Sequence, residues 1–339
     1  MLKVNKKVIG QLNKCYALAE INMNGERRLL VGAEKEDPCY CYDLDGNYKE
    51  TLWEKPGGVM TIEQYKDAVL ATWKFYSPNN SAEAKIVYYI KKEGKWECNV
   101  LCDLPFVHRF GILEKENKAY IVACTLKSAH AFKDDWTCPG RVWVAELPED
   151  ITVFNQENQL KLEPLISGLT KNHGFCKKDG TALVGTENGI YQVFPPEKEK
   201  GWEYVQLSSH SASDMLYEDF DGDGKKELLV LAPFHGDTIF VQKDDEIVYT
   251  YPEKLPFLHA IYSGRINDTT YAFVGCRQGN RELLAIHYDP DQKQYVSECI
   301  DQGAGAANCY YFEKNGKSYL LAANRETDEI ALYELEETC

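Results

Sequence analysis

A chain of 339 residues with a formal net charge of −15 repels nucleic acid and anionic membrane surfaces, and no basic tract interrupts that balance. No stretch approaches the roughly 18 apolar residues of a membrane span. The opening MLKVNKKVIGQLNK lacks the apolar segment of a secretory signal, so a cytoplasmic location is expected. The 22 Tyr and 6 Trp favour half-buried pleated surfaces and tilt the reading toward β structure.

In chain order, Asn5–Leu12 reads as a lone strand without a hairpin partner. From Lys14 onward one rhythm recurs: an apolar strand, a short polar turn, a second apolar strand. The segments are KCYALAEINMNGERRLLVG from Lys14, MTIEQYKDAVLA from Met60, HRFGILEKENKAYIVA from His108 and HGFCKKDGTALVG from His173. They continue with YEDFDGDGKKELLV from Tyr217, HAIYSGRINDTTYAFVG from His259 and NCYYFEKNGKSYLLA from Asn308. Third strands follow at Cys39–Asp43, Ile86–Ile90, Val142–Glu146, Gly189–Phe194, Thr238–Gln242, Leu283–Tyr288 and Ile330–Leu335. Fourth strands are legible at Glu97–Cys102, Glu203–Leu207, Glu246–Tyr251 and Tyr295–Ile300.

Four strands every 40–50 residues or so is the signature of a propeller blade. The expectation is an all-β, seven-bladed β-propeller forming one domain over residues 1–339. The last repeat shows only three strands, so the N-terminal strand is expected to complete it and close the ring. Two insertions belong to blade 3: Lys127–Gly140, between its second and third strands, and Pro148–Glu163, before its last strand. Long loops in compact folds are usually functional or disordered. The 12 Cys are scattered through apparent strands without metal-ligand spacing and read as reduced, small buried hydrophobes.

The sharpest motif is the acidic turn of blade 5. Asp219, Asp221 and Asp223 at alternate positions, with Glu227 following, can fold around one hard cation while the glycines permit the tight turn. A structural Ca²⁺ or Mg²⁺ is therefore expected there. At this motif the chain resembles the FG-GAP/VCBS-repeat propellers, whose blades carry such turns. The equivalent turns NMNGE, EKENK, KKDG, INDTT and EKNGK lack the carboxylate set and are expected to be metal-free.

Aligning the first residue of each innermost strand gives Lys14, Met60, His108, His173, Asp214, His259 and Asn308. In a propeller these lie at one mouth of the central channel. The loops after the second strands reach the same face with Trp73, Lys74, Lys127, His130, His235 and Arg277, and Arg109 follows His108 directly. Converging His, Arg, Lys and Asp suit acid–base and oxyanion chemistry, or three His and a carboxylate around a divalent metal. The expected catalytic set is His108, His173, His259, Asp214, Arg109, Lys127 and Arg277. His130, His235, Lys14, Asn308, Trp73 and Lys74 are expected to contact substrate. His210 and His287 read as packing residues.

The resemblance extends loosely to aldos-2-ulose dehydratase-type propellers and to propeller oligosaccharide lyases. It implies a sugar-directed carbon–oxygen lyase, dehydratase or keto-sugar isomerase with a small carbohydrate ligand. The alternative is a non-catalytic propeller that binds a glycan or a protein.

Overall fold

The computed structural model describes residues 1–198 and 200–338. They form seven four-stranded antiparallel sheets, each with its strands in sequential order apart from the seventh. The innermost strands are Cys15–Met23, Ile62–Tyr65, Val107–Lys115, Gly174–Lys178, Asp214–Glu218, Leu258–Ile266 and Asn308–Lys314. Each contacts the next around the ring, and the first contacts the last. The all-β seven-bladed propeller is therefore the fold.

Closure follows the expectation. Leu2–Gln11 pairs antiparallel with Glu329–Glu337, from Leu2 against Glu337 to Gln11 against Glu329, as the outer strand of blade 7. Two outer strands had no strong sequence signal, Tyr48–Trp53 and Glu163–Leu169.

Burial explains the apolar runs. Second strands such as Thr181–Thr186 are buried along their whole length, because neighbouring blades cover both faces. Outer strands such as Glu203–Ser208 and Glu246–Thr250 are largely exposed, with Tyr204, Val205, Ile247 and Val248 among the exposed apolar side chains. The hairpin turns Asn24-Gly25, Asp179-Gly180 and Asn315-Gly316 place both residues at positive φ, the geometry that matches strand twist.

Both insertions are ordered. In the second, Phe154, Leu160 and Leu162 pack on the core shared by blades 1–3, and the Tyr88 hydroxyl donates to the Phe154 carbonyl at 2.7 Å. Every cysteine among the described residues is a free thiol. Among the described residues no helix is long and apolar enough to cross a membrane.

Candidate functional site

The single polar ring expected from sequence resolves into two layers. Lys14, Phe106, Lys171 and Phe257 all have left-handed backbones, with φ of 52°, 64°, 50° and 62°. Two residues later stand Tyr16, His108, His173 and His259. Tyr16, His108 and His259 are each the extra residue of a β-bulge, between Cys15 and Ala17, Val107 and Arg109, and Leu258 and Ala260. A bulge re-aims its side chain. The blade 1 counterpart of the histidines is therefore Tyr16, not Lys14, whose ammonium turns to Asp328 at 3.2 Å.

The next layer holds Ala17, Thr61, Arg109, Gly174, Asp214, Ala260 and Asn308, matched by their pairing with the second strands. Asp214 and Asn308 thus lie below the histidines rather than among them.

The histidine layer is a packed plug. His108, His173 and His259 are at most 3% exposed. His108 stacks on His173 with ring centroids 4.3 Å apart. Phe75 meets His108, and Phe234 and Phe257 sandwich His235 at 3.9 and 4.4 Å. The first insertion completes the cover. Lys127 is buried and donates to the Asp135 carbonyl at 2.7 Å, with its ammonium 4.0 Å from the Trp136 ring centre. Trp136 in turn packs edge-on against Phe234. Lys127 therefore anchors the covering loop instead of facing a ligand.

Within the plug His173, His235 and His259 form a trio. One nitrogen of each lies within 4.8 Å of the others. His173 Nδ1 donates to the Ser213 carbonyl at 2.8 Å and His259 Nδ1 to the Ala307 carbonyl at 2.6 Å. Carbonyls only accept, so both imidazoles carry the proton on Nδ1 and present the Nε2 lone pair. The Tyr16 hydroxyl donates to His259 Nε2 at 3.1 Å. His173 Nε2 and His235 Nε2 are buried with no hydrogen-bond partner.

Burial pushes His108, His173 and His259 well below the ordinary imidazole range, and it takes His235 down to about 3 with help from Arg277 and Lys171. Neutral imidazoles with backbone-fixed tautomers are the form that ligates divalent transition metals. The trio fits such an ion; His108, expected in the set, stands beside it.

Beneath the plug a cavity of about 460 Å³ follows the axis. It runs from Met60, Arg109, Asp214 and Asn308 near the strand starts to Gln64, Lys178, Glu218 and Ser263 beside the hairpin turns. A Cβ on Gly174 would come within 2.9 Å of the Asp214 Cα and the Ser213 carbonyl, so only glycine lets these strands approach.

Most charges in the chamber are paired. Lys177 meets Glu63 at 2.7 Å, Lys178 pairs with Glu218, and Glu20 holds Arg27. Arg109 has no ion pair among the described residues. Its Nη1 donates to the Met60 carbonyl at 2.6 Å and its Nη2 to Asn308 Oδ1 at 3.1 Å.

Asp214 is buried, and its Oδ1 accepts from the Phe175 and Met215 amides at 3.2 and 3.0 Å. Burial raises its carboxyl to about 6, against the pull of Arg109 and those amides. Between about pH 4 and pH 6 the folded state then keeps a proton that the unfolded chain releases. Stability falls as pH rises through that window, by about 3 kcal/mol once both states are ionised. Asp214→Asn, which keeps the Oδ1 acceptor, is expected to be more stable than the parent at pH 7 and equal to it at pH 4. Urea unfolding of both proteins at the two pH values measures this; equal stability at pH 7 would show that Asp214 is not strained.

The other expected contacts lie around the rim, engaged with protein. Arg277 shares Glu326 with Arg325 at 2.8 and 2.7 Å and covers the Phe257 ring. Trp73 Nε1 donates to the Pro56 carbonyl at 3.0 Å, and Lys74 meets Glu83 at 2.8 Å. His130 packs edge-on against Phe106. Sequence reasoning missed Tyr16, Trp136, Lys171, Phe234 and Phe257. A usable signal was the aromatic two residues before His108 and His259.

In the acidic turn, Asp219 accepts from the Gly222 and Gly224 amides at 2.8 and 3.0 Å, and buried Glu227 accepts from the Phe220 amide at 2.7 Å. The Lys243 ammonium, from the adjoining third strand, stands among the remaining carboxylate oxygens at 2.5 Å from Asp221, 2.8 Å from Asp223 and 2.9 Å from Glu227.

No protein-family model matches the chain, and no curated protein matches it. Among solved structures it is similar to an auxiliary nutrient binding protein from Bacteroides thetaiotaomicron. The identity is 13%, the TM-score is 0.58, and the match covers 99% of this chain and 78% of that one. At that identity the likeness establishes the fold alone.

Proposed function

We propose that the protein binds a small carbohydrate carboxylate in its axial chamber, with Arg109 as the anchor. The observation that carries this reading is an unpaired guanidinium in a chamber whose lysines are all neutralised. Its Nε–H and the remaining Nη hydrogens have no acceptor among the described residues. A fork of such donors suits a carboxylate. Asp214 and Asn308 beside it offer acceptors to hydroxyl groups, and about 460 Å³ falls within the usual size of small-molecule sites. A fold shared with a protein described as nutrient binding supports a binding role. Calorimetric titration with glucuronate, gluconate and glucose tests it. The two carboxylates are expected to bind and glucose to give no saturable heat; equal binding of glucose sinks the proposal.

One observation favours a second reading, a sugar-directed lyase. Asp214, with its carboxyl raised to about 6, shares the chamber with Arg109. In that reading the ionised Asp214 takes a proton from the carbon next to the ligand's carboxylate while Arg109 stabilises the resulting enolate. The His173–His235–His259 trio would hold a divalent transition ion above the chamber, with His173 and His259 oriented by the Ser213 and Ala307 carbonyls.

A further inference from the structure

The acidic turn of blade 5 has the residues of a calcium loop, yet its centre is taken by a side chain of the same protein. We infer that the Lys243 ammonium is the resident cation of this turn, so that the hairpin is stapled without calcium.

Four observations converge. Lys243 contacts three of the four carboxylates at 2.5–2.9 Å, from the strand that pairs with the one carrying Glu227. The fourth carboxylate, Asp219, spends both oxygens on the Gly222 and Gly224 amides and shapes the loop itself. Glu227 is wholly buried, and the nearest positive charge to its Oε1 is Lys243. Lys243 is only 17% exposed along its side chain, so the stem is packed and the ammonium is held in place.

The chemistry is consistent. The ammonium donates to Asp221 Oδ2 and stands at ion-pair distance from Asp223 and Glu227, so one cation faces three carboxylates. Ca²⁺ instead needs 6–8 oxygens around one centre. It would have to expel Lys243 from a position where leaving Glu227 buried and unpaired is costly. The lysine also frees the hairpin from the ion supply of its surroundings. No other turn between a first and a second strand carries this carboxylate set.

Calcium is a selective probe, because the axial imidazoles are poor ligands for it. Chelator-treated wild-type protein is expected to show no saturable Ca²⁺ heat. Its unfolding midpoint should shift by less than about 1 °C between EGTA and millimolar Ca²⁺. Lys243→Met should unfold at least about 4 °C lower in EGTA, corresponding to a cost of roughly 3 kcal/mol for a chain of this size. Millimolar Ca²⁺ should restore most of that loss, because the vacated carboxylates then accept the ion. Stoichiometric Ca²⁺ uptake by the wild type overturns the inference, as does a Lys243→Met protein as stable as the parent in EGTA. If the variant proves insoluble, the wild-type titration decides alone.

Discussion

Arg109→Gln is expected to weaken glucuronate binding by about 10- to 100-fold, the worth of one charge-assisted hydrogen-bond pair. The guanidinium is the one cation lining the chamber without an ion pair among the described residues, so no neighbour can take over a carboxylate. Glutamine retains an amide donor for either the Met60 carbonyl or Asn308 Oδ1, the two contacts that tie Arg109 to blades 2 and 7. The unfolding midpoint should therefore stay within a few degrees of the parent, and calorimetry on the folded variant isolates the binding term. A variant that folds and binds glucuronate as tightly as the parent would remove Arg109 from the site. Loss of the fold would instead assign Arg109 to blade packing.

The second large effect concerns the plug. Purified protein, freed of metal and titrated with Co²⁺, is expected to take up about one ion per chain with the visible spectrum of an imidazole-ligated site. His259→Ala or His173→Ala should lower that affinity by at least about 10-fold, because each removes a ligand whose tautomer is already set. His108→Ala should keep the ion, since His108 stacks on His173 from outside the trio. Tyr16→Phe should bind at least as well as the parent, because the Tyr16 hydroxyl competes for the His259 Nε2 lone pair. Equal loss on His108→Ala and His259→Ala would show that the trio is wrongly chosen. An absence of any Co²⁺ uptake would make the histidines packing residues. Calcium behaviour at the acidic turn is unaffected by either result, so the two cation questions separate cleanly.

Both predictions rest on features of different legibility. The hairpin rhythm, the seven repeats and the closing strand were readable from residues alone. Strand period, turn chemistry and burial on both faces are local constraints, and they leave the same print in each repeat. The coincidence of His108, His173 and His259 at equivalent positions was legible for the same reason. The acidic turn was visible as carboxylates at alternate positions.

What the repeat could not show was depth along the axis. A bulge shifts register by one residue, and that single residue separates Tyr16, His108 and His259 from Arg109, Asp214 and Asn308. Only the pairing partners on the next strand reveal it. Nor could sequence distance bring Trp136 and Phe234 over the mouth, place His235 with His173, or carry Lys243 into the acidic turn across the sheet. Those are contacts between elements, set by how blades and insertions pack. The sequence by itself therefore determined the ring and named most of its axial residues, because both follow from a local pattern repeated seven times. The tertiary structure alone decided which of those residues are sealed in a plug, which line a chamber and which cation faces which carboxylate, because burial and charge pairing depend on neighbours far apart in the chain.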